Sequence, residues 1–192
     1  MAAGYSYDSD EARALCGAIS AIMTGRSYAT SAEIASELGA FPKYSENTKS
    51  MMRVMENHKN AALGKADGYS ELSVQPVPLA IGDCPDKTLP TAAAAAWEEA
   101  VRLGKEYGYR NAQATLIAPT GTIGLVMDCD TTGIEPDFAI VKFKKLAGGG
   151  YFKIINRVVP EALTRLGYAE NQIEDVIRYA VGHGSLKKCQ AV

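Results

Sequence analysis

Broad charge of one sign, long apolar runs and a signal-peptide pattern are all missing from this sequence of 192 residues. The 20 basic and 22 acidic side chains leave a net charge of −2, so no wide basic surface is available for a nucleic-acid backbone. The longest apolar stretch, residues 91–97, is mostly alanine and far shorter than a membrane span. The first residues are acidic, whereas a signal peptide begins with basic and then apolar residues. We therefore expect no nucleic-acid partner, no membrane insertion and no secretion.

Cysteine and histidine are sparse, which bears on metal chemistry and on location. The sequence contains four widely spaced cysteines and two histidines, namely Cys16, Cys84, Cys129, Cys189, His58 and His183. None of them forms the closely spaced pairs that are typical of a zinc site, so we expect no metal site. Scattered thiols favour a reducing, cytoplasmic location. We expect each cysteine to be a small, partly buried residue and both histidines to be solvated.

The length and the 47% hydrophobic content suffice for one domain with a core, or for two very small domains. The pattern along the chain predicts a helical region at 1–63, an irregular connection at 64–90 and a mixed region at 91–192. The connection is rich in Gly and Pro, and it either wraps around a surface or crosses between parts of a larger protein. We expect an α+β fold that is mainly helical, with a few short strands, and one domain overall.

Capping patterns divide the first region into helices. Asp8 and Glu11 match a capping box ahead of an apolar stripe, and Gly25 is the expected end of this first helix. A second box that starts at Thr30 predicts a second helix, which ends at Gly39.

Two further helices follow. Ser45 is expected to cap one helix, whose methionine cluster at 51, 52 and 55 is expected to pack in the core rather than to bind a ligand. An alanine-rich helix begins at Pro90, presents Trp97 along its apolar side and ends at Gly108. The apolar spacing therefore predicts a helical core before residue 108.

After this helix the pattern changes to strands. Ala112–Ala118 is predicted as a short strand, and Phe138–Phe143 and Tyr151–Ile155 as a pair of strands. The glycines at 148–150 favour a hairpin turn over a phosphate loop, because no Lys-Ser or Lys-Thr follows them. Two helices close the chain, and the first has Pro160 in its first turn.

The segment 118–136 carries the candidate chemistry. Its core is the run Pro119-Thr120-Gly121-Thr122-Ile123, which joins the predicted strand to an apolar run. If a helix begins there, its unpaired N–H groups and its dipole favour a phosphate or a carboxylate. Gly121 permits close approach of an anion, and Thr120 and Thr122 add hydroxyl donors. On these residues alone an ordinary turn is the alternative.

The wider stretch from Asn111 to Tyr168 resembles the adenosylcobalamin-dependent (class II) ribonucleotide reductases. Gly-Ile-Glu-Pro at Gly133–Pro136 follows the loop as in that family, and the run Phe143–Lys153 is similar to its cobalamin-dependent branch. The resemblance implies that Pro119–Ile123 binds the phosphates of a ribonucleotide substrate through backbone amides. It also implies that the fold is a piece of a ten-stranded α/β barrel.

The family's radical cysteine lies in an Asn-x-Cys-x-Glu motif, which this sequence lacks. We therefore expect a fragment of the large catalytic chain, inactive alone and without catalytic residues of its own. Cys129 is expected to be incidental, because Asp128 and Asp130 beside it disfavour a thiolate. The resemblance implies adenosylcobalamin for the full enzyme, with none bound by this fragment alone. The alternative is a non-enzymatic module that binds nucleotide phosphates or serves assembly.

The expected partners are ribonucleotide phosphates and the remainder of the catalytic chain. Apolar surface that would face missing barrel strands, and the unpaired edges of Ala112–Ala118, also predict self-association.

Overall fold

The computed structural model describes residues 3–127, 129–131, 133–137, 139–145, 148–184 and 186–190. The chain divides into two compact units, which we call the helical unit (Asp8–Leu116) and the hairpin unit (Met1–Tyr7 with Ile117–Val192). This division differs from the single domain that we expected, and from region boundaries near residues 64 and 90. It follows the packing, because the alanine-rich helix lies against the first helix rather than with the strands.

The elements follow one another in the order α1 Asp10–Leu38, α2 Tyr44–Ala62, α3 Thr88–Tyr107, α4 Thr122–Val126, β1 Val141–Lys145, β2 Tyr151–Ile155, α5 Val158–Arg165 and α6 Glu170–His183. The fold is therefore mainly helical with one two-stranded sheet. The ten-stranded barrel is not formed by the ranges that the structure describes. None of the helices in those ranges has the length and apolar character needed to cross a membrane.

α1 begins one residue later than the capping pattern predicted. Ser9, not Asp8, is the N-cap, and its side chain accepts a hydrogen bond from the Ala12 amide at 3.1 Å. The buried face of α1 also differs from the predicted stripe, because Met23 is 63% exposed whereas Ala18 is fully buried. Small residues face the core because they let the neighbouring helix approach closely.

α1 continues through the two positions where a helix end and a new helix start were predicted. Gly25 is buried in its middle, where an added Cβ would lie 3.0 Å from the Ala96 Cβ and 3.1 Å from Trp97 Cδ1. The glycine thus serves close packing on α3, and the box at Thr30 starts no helix. The predicted stop at Gly39 is confirmed, since its amide closes the helix on the Ala35 carbonyl at 2.9 Å.

The core of the helical unit combines aromatic and small side chains from α1, α2 and α3. Its buried members are Tyr28, Ala29, Ala32, Met55, Ala62, Trp97, Ala100, Val101, Leu103 and Tyr109. Met51 and Met52 pack against this core, so the prediction that the methionine cluster is core is confirmed. The N-cap of α2 is Lys43, in the left-handed region at φ 67°, rather than Ser45.

Residues 64–87 form no helix or strand, and their backbone is hydrogen-bonded to α2. The Asn57 side chain on α2 exchanges two hydrogen bonds of 3.0 Å with the backbone of Ser70. The Leu79 amide donates to the Ala61 carbonyl at 2.9 Å. Cys84 is 1% exposed and packs with Leu79.

The predicted strand Ala112–Ala118 is wrong. Among the described residues this stretch joins no β-ladder, and its polar groups pair with α1 instead. The Ala114 amide donates to the Tyr28 hydroxyl at 3.3 Å, and the Thr115 and Thr24 hydroxyls lie 3.1 Å apart. Side chains of α1 thus form hydrogen bonds with this stretch, including one with a backbone amide that could otherwise pair with a neighbouring strand.

The predicted hairpin is confirmed. β1 and β2 pair antiparallel, with Val141 opposite Ile155 and Lys145 opposite Tyr151. Gly149 and Gly150 hold positive φ values of 90° and 86° in the connection, which residues with a side chain adopt rarely. Phe138, the predicted start of the first strand, lies outside the described residues.

α5 and α6 provide the core beneath the hairpin. Pro160 is in the first turn of α5, as predicted. The buried members of this core are Val159, Leu163, Ile173, Val176 and Cys189, and Ile140 and Ile155 pack against them. The buried face of α6 consists of Ile173, Val176 and Ala180.

Candidate functional site

The loop Pro119–Ile123 lies at the start of the shortest helix. Pro119, Thr120 and Gly121 are exposed and belong to no regular element. The Gly124 amide donates to the Gly121 carbonyl at 3.1 Å. The amides of residues 121–123 therefore precede the first hydrogen bond of the turn, the position at which a helix has no backbone acceptors of its own.

Gly121 adopts φ +57°, in the left-handed region. A residue with a Cβ is strained there, so glycine is the residue that suits this turn. A left-handed residue directly before a helical one is an arrangement found in anion-binding turns. The sequence-based choice of Gly121 as the key residue of the loop thus coincides with its backbone geometry.

α4 contains five residues, so the helix that begins at the apolar run is short. Two hydrogen bonds close it, from the Met127 amide to Ile123 O at 2.9 Å and from the Cys129 amide to Gly124 O at 2.8 Å. The dipole of so short a helix is small, because it is the sum of few aligned peptide units. Any anion affinity of the loop therefore comes from the turn amides themselves.

Apolar side chains surround the loop in sequence and remain uncovered. Those in residues 116–134 that are more than half exposed are Leu116, Ile117, Ile123, Val126, Met127 and Ile134. A set of this size on one short stretch is unusual for a free surface.

A partly buried polar cluster lies on the segment that follows the loop, and the sequence analysis missed it. The Asp137 carboxylate is 10% exposed and accepts from Lys142 Nζ at 2.8 Å and from Asn156 Nδ2 at 2.9 Å. Burial raises the pKa of Asp137, but these hydrogen bonds and the Lys142 charge outweigh it, and the pKa is lowered. Asn156 lies 14 residues after Lys142, and the five-residue separation of Asp137 and Lys142 matches no known site motif, so no spacing pattern connects the three residues.

Two other residues of this segment were considered as site candidates. The Glu135 carboxylate lies over Gly133, at the place where a Cβ on that glycine would be. Cys129 is exposed, with its sulfur 3.8 Å from the Met127 carbonyl. Cys16 is exposed as well, so the expectation of partial burial fails for these two cysteines, while Cys84 and Cys189 are buried.

The two histidines stack on aromatic rings. His58 lies on Trp97 with ring centroids 5.1 Å apart, and His183 lies on Tyr179 at 4.0 Å. Both residues are exposed, as expected, but neither ring is simply surrounded by water. A cavity of about 480 Å³ next to His58 is walled largely by small and aliphatic side chains such as Ala14, Ala21 and Leu79.

Comparison with known proteins places the whole chain in one family. Residues 1–192 match the family described as ribonucleotide reductase, barrel domain. A vitamin B12-dependent ribonucleotide reductase of Agrobacterium fabrum is 64% identical over 192 residues, which is 100% of this chain and 15% of that protein. The Bradyrhizobium diazoefficiens protein of the same name is 63% identical with the same coverage. That of Streptantibioticus cattleyicolor is 47% identical over 186 residues, 97% of this chain and 29% of its own length.

Proposed function

Because the chain belongs to the ribonucleotide reductase barrel-domain family, we propose that it is a segment of the catalytic chain of an adenosylcobalamin-dependent ribonucleotide reductase. The segment spans about 15% of the first relatives' length, and those relatives are named vitamin B12-dependent ribonucleotide reductases. The parent enzyme converts a ribonucleotide to a deoxyribonucleotide. Within it, this segment supplies the loop Pro119–Ile123, which binds the substrate's phosphates.

The backbone of Gly121 is the observation that carries this role. Gly121 has a φ of +57°, and the first hydrogen bond of the turn is donated by the Gly124 amide. The three consecutive amides of residues 121–123 therefore come before that hydrogen bond. Phosphate oxygens accept hydrogen bonds from such amides without any charged side chain. The absence of a side chain at Gly121 leaves the anion room to reach them.

Adenosylcobalamin supplies the radical that starts the reaction in this class of enzyme, but the described residues do not form a site for it. Both imidazoles are stacked on aromatic rings. The cavity of about 480 Å³ has the size of a small-molecule site, whereas a corrin ring with its nucleotide tail is much larger than that. We therefore assign cofactor binding to the remainder of the catalytic chain.

The isolated chain is expected to show no reductase activity, because it lacks the Asn-x-Cys-x-Glu motif that holds the radical cysteine. The test is incubation of the pure chain with adenosylcobalamin, a thiol reductant and a ribonucleotide, followed by assay for deoxyribonucleotide. Product formation would overturn this assignment. Sequencing the gene upstream for the motif separates a truncated enzyme from a free-standing phosphate-binding or assembly module.

Phosphate binding by the loop is tested by NMR titration of the 192-residue chain with inorganic phosphate. The amide resonances of residues 121–123 should shift, with an affinity on the order of millimolar because the rest of the nucleotide pocket is absent. Gly121→Val should abolish the shifts, since it strains φ +57° without changing the net charge.

The matched control for this titration is Gly167→Val. It places the same side chain on another positive φ, +88°, with open space around it. The control should retain the phosphate response of the parent chain. Equal shifts in parent and Gly121→Val, or none in the parent, would show that the loop is an ordinary turn.

The exposed apolar side chains around the loop support a docking role toward the remainder of the catalytic chain. Val126 is 80% exposed and Met127 69% exposed, and both would be covered in a longer protein. In the isolated chain the same surface should drive self-association. Light scattering at rising concentration should show a larger species, and Val126→Ser with Met127→Ser should reduce it. A strictly monomeric parent chain at high concentration would contradict this role.

A further inference from the structure

We propose that Asp137 is a positioning residue for the phosphate loop: together with Lys142 and Asn156 it fixes the segment that follows Gly121. This inference rests on the proposed function of Pro119–Ile123. It concerns a group that lies outside the loop and whose role is to hold the loop's backbone in place.

Both oxygens of the Asp137 carboxylate are engaged by different elements. Oδ1 lies 2.8 Å from Lys142 Nζ on β1, and Oδ2 accepts from Asn156 Nδ2, just after β2, at 2.9 Å. Asn156 is 7% exposed and the Asp137 side chain 10% exposed. A buried carboxylate that is satisfied on both oxygens fixes its own position and that of its partners.

Lys142 connects the two ends of the segment 130–137. Besides its pairing with Asp137, its ammonium donates to the Asp130 carbonyl at 2.6 Å. Arg157 adds a second tie, with Nε 3.4 Å from Asp130 Oδ1. Lys142 on β1 and Arg157, two residues after β2, thus hold the residues on either side of the Gly-Ile-Glu-Pro turn at 133–136.

Asn156 joins this cluster to the rigid core of the hairpin unit. Its amide donates to the Ile140 carbonyl at 2.8 Å, and its Oδ1 accepts from the Val158 amide at 2.9 Å. Val158 begins α5, whose Val159 and Leu163 are buried in the core. The position of Asp137 is therefore set by packed elements and not by the loop itself.

Two consecutive hydrogen bonds lead from the cluster back to the loop. The Cys129 amide, next to Asp130, donates to the Gly124 carbonyl at 2.8 Å, and the Gly124 amide donates to Gly121 at 3.1 Å. A change that releases Asp130 therefore acts on the turn through a short covalent and hydrogen-bonded path. Removing the Asp137 charge has this effect, because it removes the 2.8 Å ion pair that holds the partly buried Lys142 ammonium in place.

The test uses the 192-residue chain and its amide resonances. Asp137→Asn keeps the shape of the side chain and removes the charge pair, and Lys142→Met removes the donor. Both variants should shift the resonances of Gly121, Gly124 and Cys129, and the double variant should shift them no further than either single one. Unshifted resonances of α6 show that the hairpin unit remains folded.

Two control variants separate positioning from general destabilisation. Asp175→Asn removes an exposed carboxylate that pairs with Arg178 at 3.2 Å on α6, and it should leave the loop resonances in place. Lys142→Arg keeps a cation at the cluster and should restore both the loop resonances and phosphate affinity toward the parent values. If Lys142→Met fails to fold, the comparison of Lys142→Arg with the parent chain still shows whether a cation at this position keeps the loop resonances in place.

Inorganic phosphate is the second readout. Asp137→Asn should weaken phosphate binding about 3- to 10-fold, a range typical of residues that act through their neighbours, while Asp175→Asn has no effect. Loop resonances that stay in place in Asp137→Asn would overturn the positioning role, even if phosphate binds. A parent chain that shows no phosphate response would overturn the proposed function of the loop, while the resonance shifts in Asp137→Asn still decide whether Asp137 holds the turn.

Discussion

The imidazole of His58 lies parallel to the indole of Trp97, with ring centroids 5.1 Å apart and planes inclined by 9°. His58 is exposed as a residue, so the stack covers one face of the ring and leaves the rest open. The indole is 2% exposed and is part of the core of the helical unit. His58 is therefore a surface residue that packs directly on a core residue of the helical unit.

This stack predicts a pH dependence of the helical unit. Partial burial lowers the pKa of His58 below its ordinary value of 6.5. The unfolded chain then binds more protons than the folded one as the pH falls below 6.5, so stability is full above that pH and decreases below it. Urea unfolding followed by Trp97 fluorescence should give a lower free energy of unfolding at pH 5.5 than at pH 7.5.

His58→Phe is the variant that isolates this effect, because it keeps an aromatic ring on Trp97 and removes the titrating group. Its free energy of unfolding should change less between pH 7.5 and 5.5 than that of the parent chain. The control, His183→Phe, alters an exposed imidazole in the other unit and should keep the parent's dependence. An equal pH dependence in parent and His58→Phe would contradict the prediction.

A second prediction concerns the contact between Gly104 and Tyr109. The Tyr109 ring occupies the place where a Cβ on Gly104 would be, and its hydroxyl donates to the Ala100 carbonyl at 2.9 Å. Alanine normally stabilises a helix interior relative to glycine. Gly104→Ala should nevertheless lower the free energy of unfolding by about 1–3 kcal/mol, because the buried ring has to move.

Gly17→Ala is the matched control for this variant. Gly17 lies in the interior of α1, and a Cβ there would meet only the end of a flexible side chain, Leu79 Cδ1, at 3.2 Å. The free energy of unfolding should stay unchanged or rise by up to about 0.5 kcal/mol. Equal effects of the two substitutions in urea unfolding would show that backbone propensity, and not the Tyr109 contact, decides at Gly104.

The N-terminus of α1 gives a third prediction. Because the Ser9 side chain accepts from the Ala12 amide, Ser9→Ala should cost about 1 kcal/mol of unfolding free energy. Asp8 instead pairs with Arg13 on the surface, and Asp8→Ala should cost less, about 0–1 kcal/mol. Urea unfolding of the two variants distinguishes them. A larger loss in Asp8→Ala would mean that Asp8 is the functional cap.

Local sequence patterns were enough to predict an element where its own residues determine its structure. The apolar spacing of α3 predicted the side on which Trp97 is buried, and the glycines at 148–150 predicted the hairpin. α1 was predicted as two helices because Gly25 and the box at Thr30 are helix boundaries in isolation. Packing of Gly25 against Ala96 supplies the contact that keeps the helix continuous. Such a contact cannot be found from the spacing within one helix.

The candidate site likewise has one part that the sequence predicts and another that it does not. The turn at Gly121 was found from the sequence, because a glycine before a helix start has a local backbone meaning. The Asp137 cluster was not found, since its members come from a loop, a strand and the residue after β2. Only the antiparallel register of the hairpin brings Lys142 and Asn156 to the same carboxylate.

The last prediction concerns the pH dependence of the hairpin unit. Burial raises the pKa of Asp137, but the hydrogen bonds from Lys142 and Asn156 outweigh burial and lower it below the ordinary value of 3.8. The charged form is thus preferred in the folded state, and its contribution to stability is present above that value and is lost as the pH falls through the folded-state pKa. Asp137→Asn resembles the protonated acid at every pH. At pH 6 it should therefore be less stable than the parent, by about 1–3 kcal/mol.

The difference between parent and Asp137→Asn should shrink as the pH falls from about 5 to 3, because the unfolded parent chain then takes up a proton at Asp137 that the folded chain resists. Urea midpoints read from amide resonances of β1 and β2 measure it within the hairpin unit. The other charges at the cluster, Lys142, Arg157 and Asp130, are common to both proteins, so they cancel to first order in the difference. Asp175→Asn, on an exposed ion pair, should differ from the parent by less than about 0.5 kcal/mol at every pH. A difference for Asp137→Asn that stays constant down to pH 3 would mean that the shape of the side chain, and not its charge, holds the segment after Gly121.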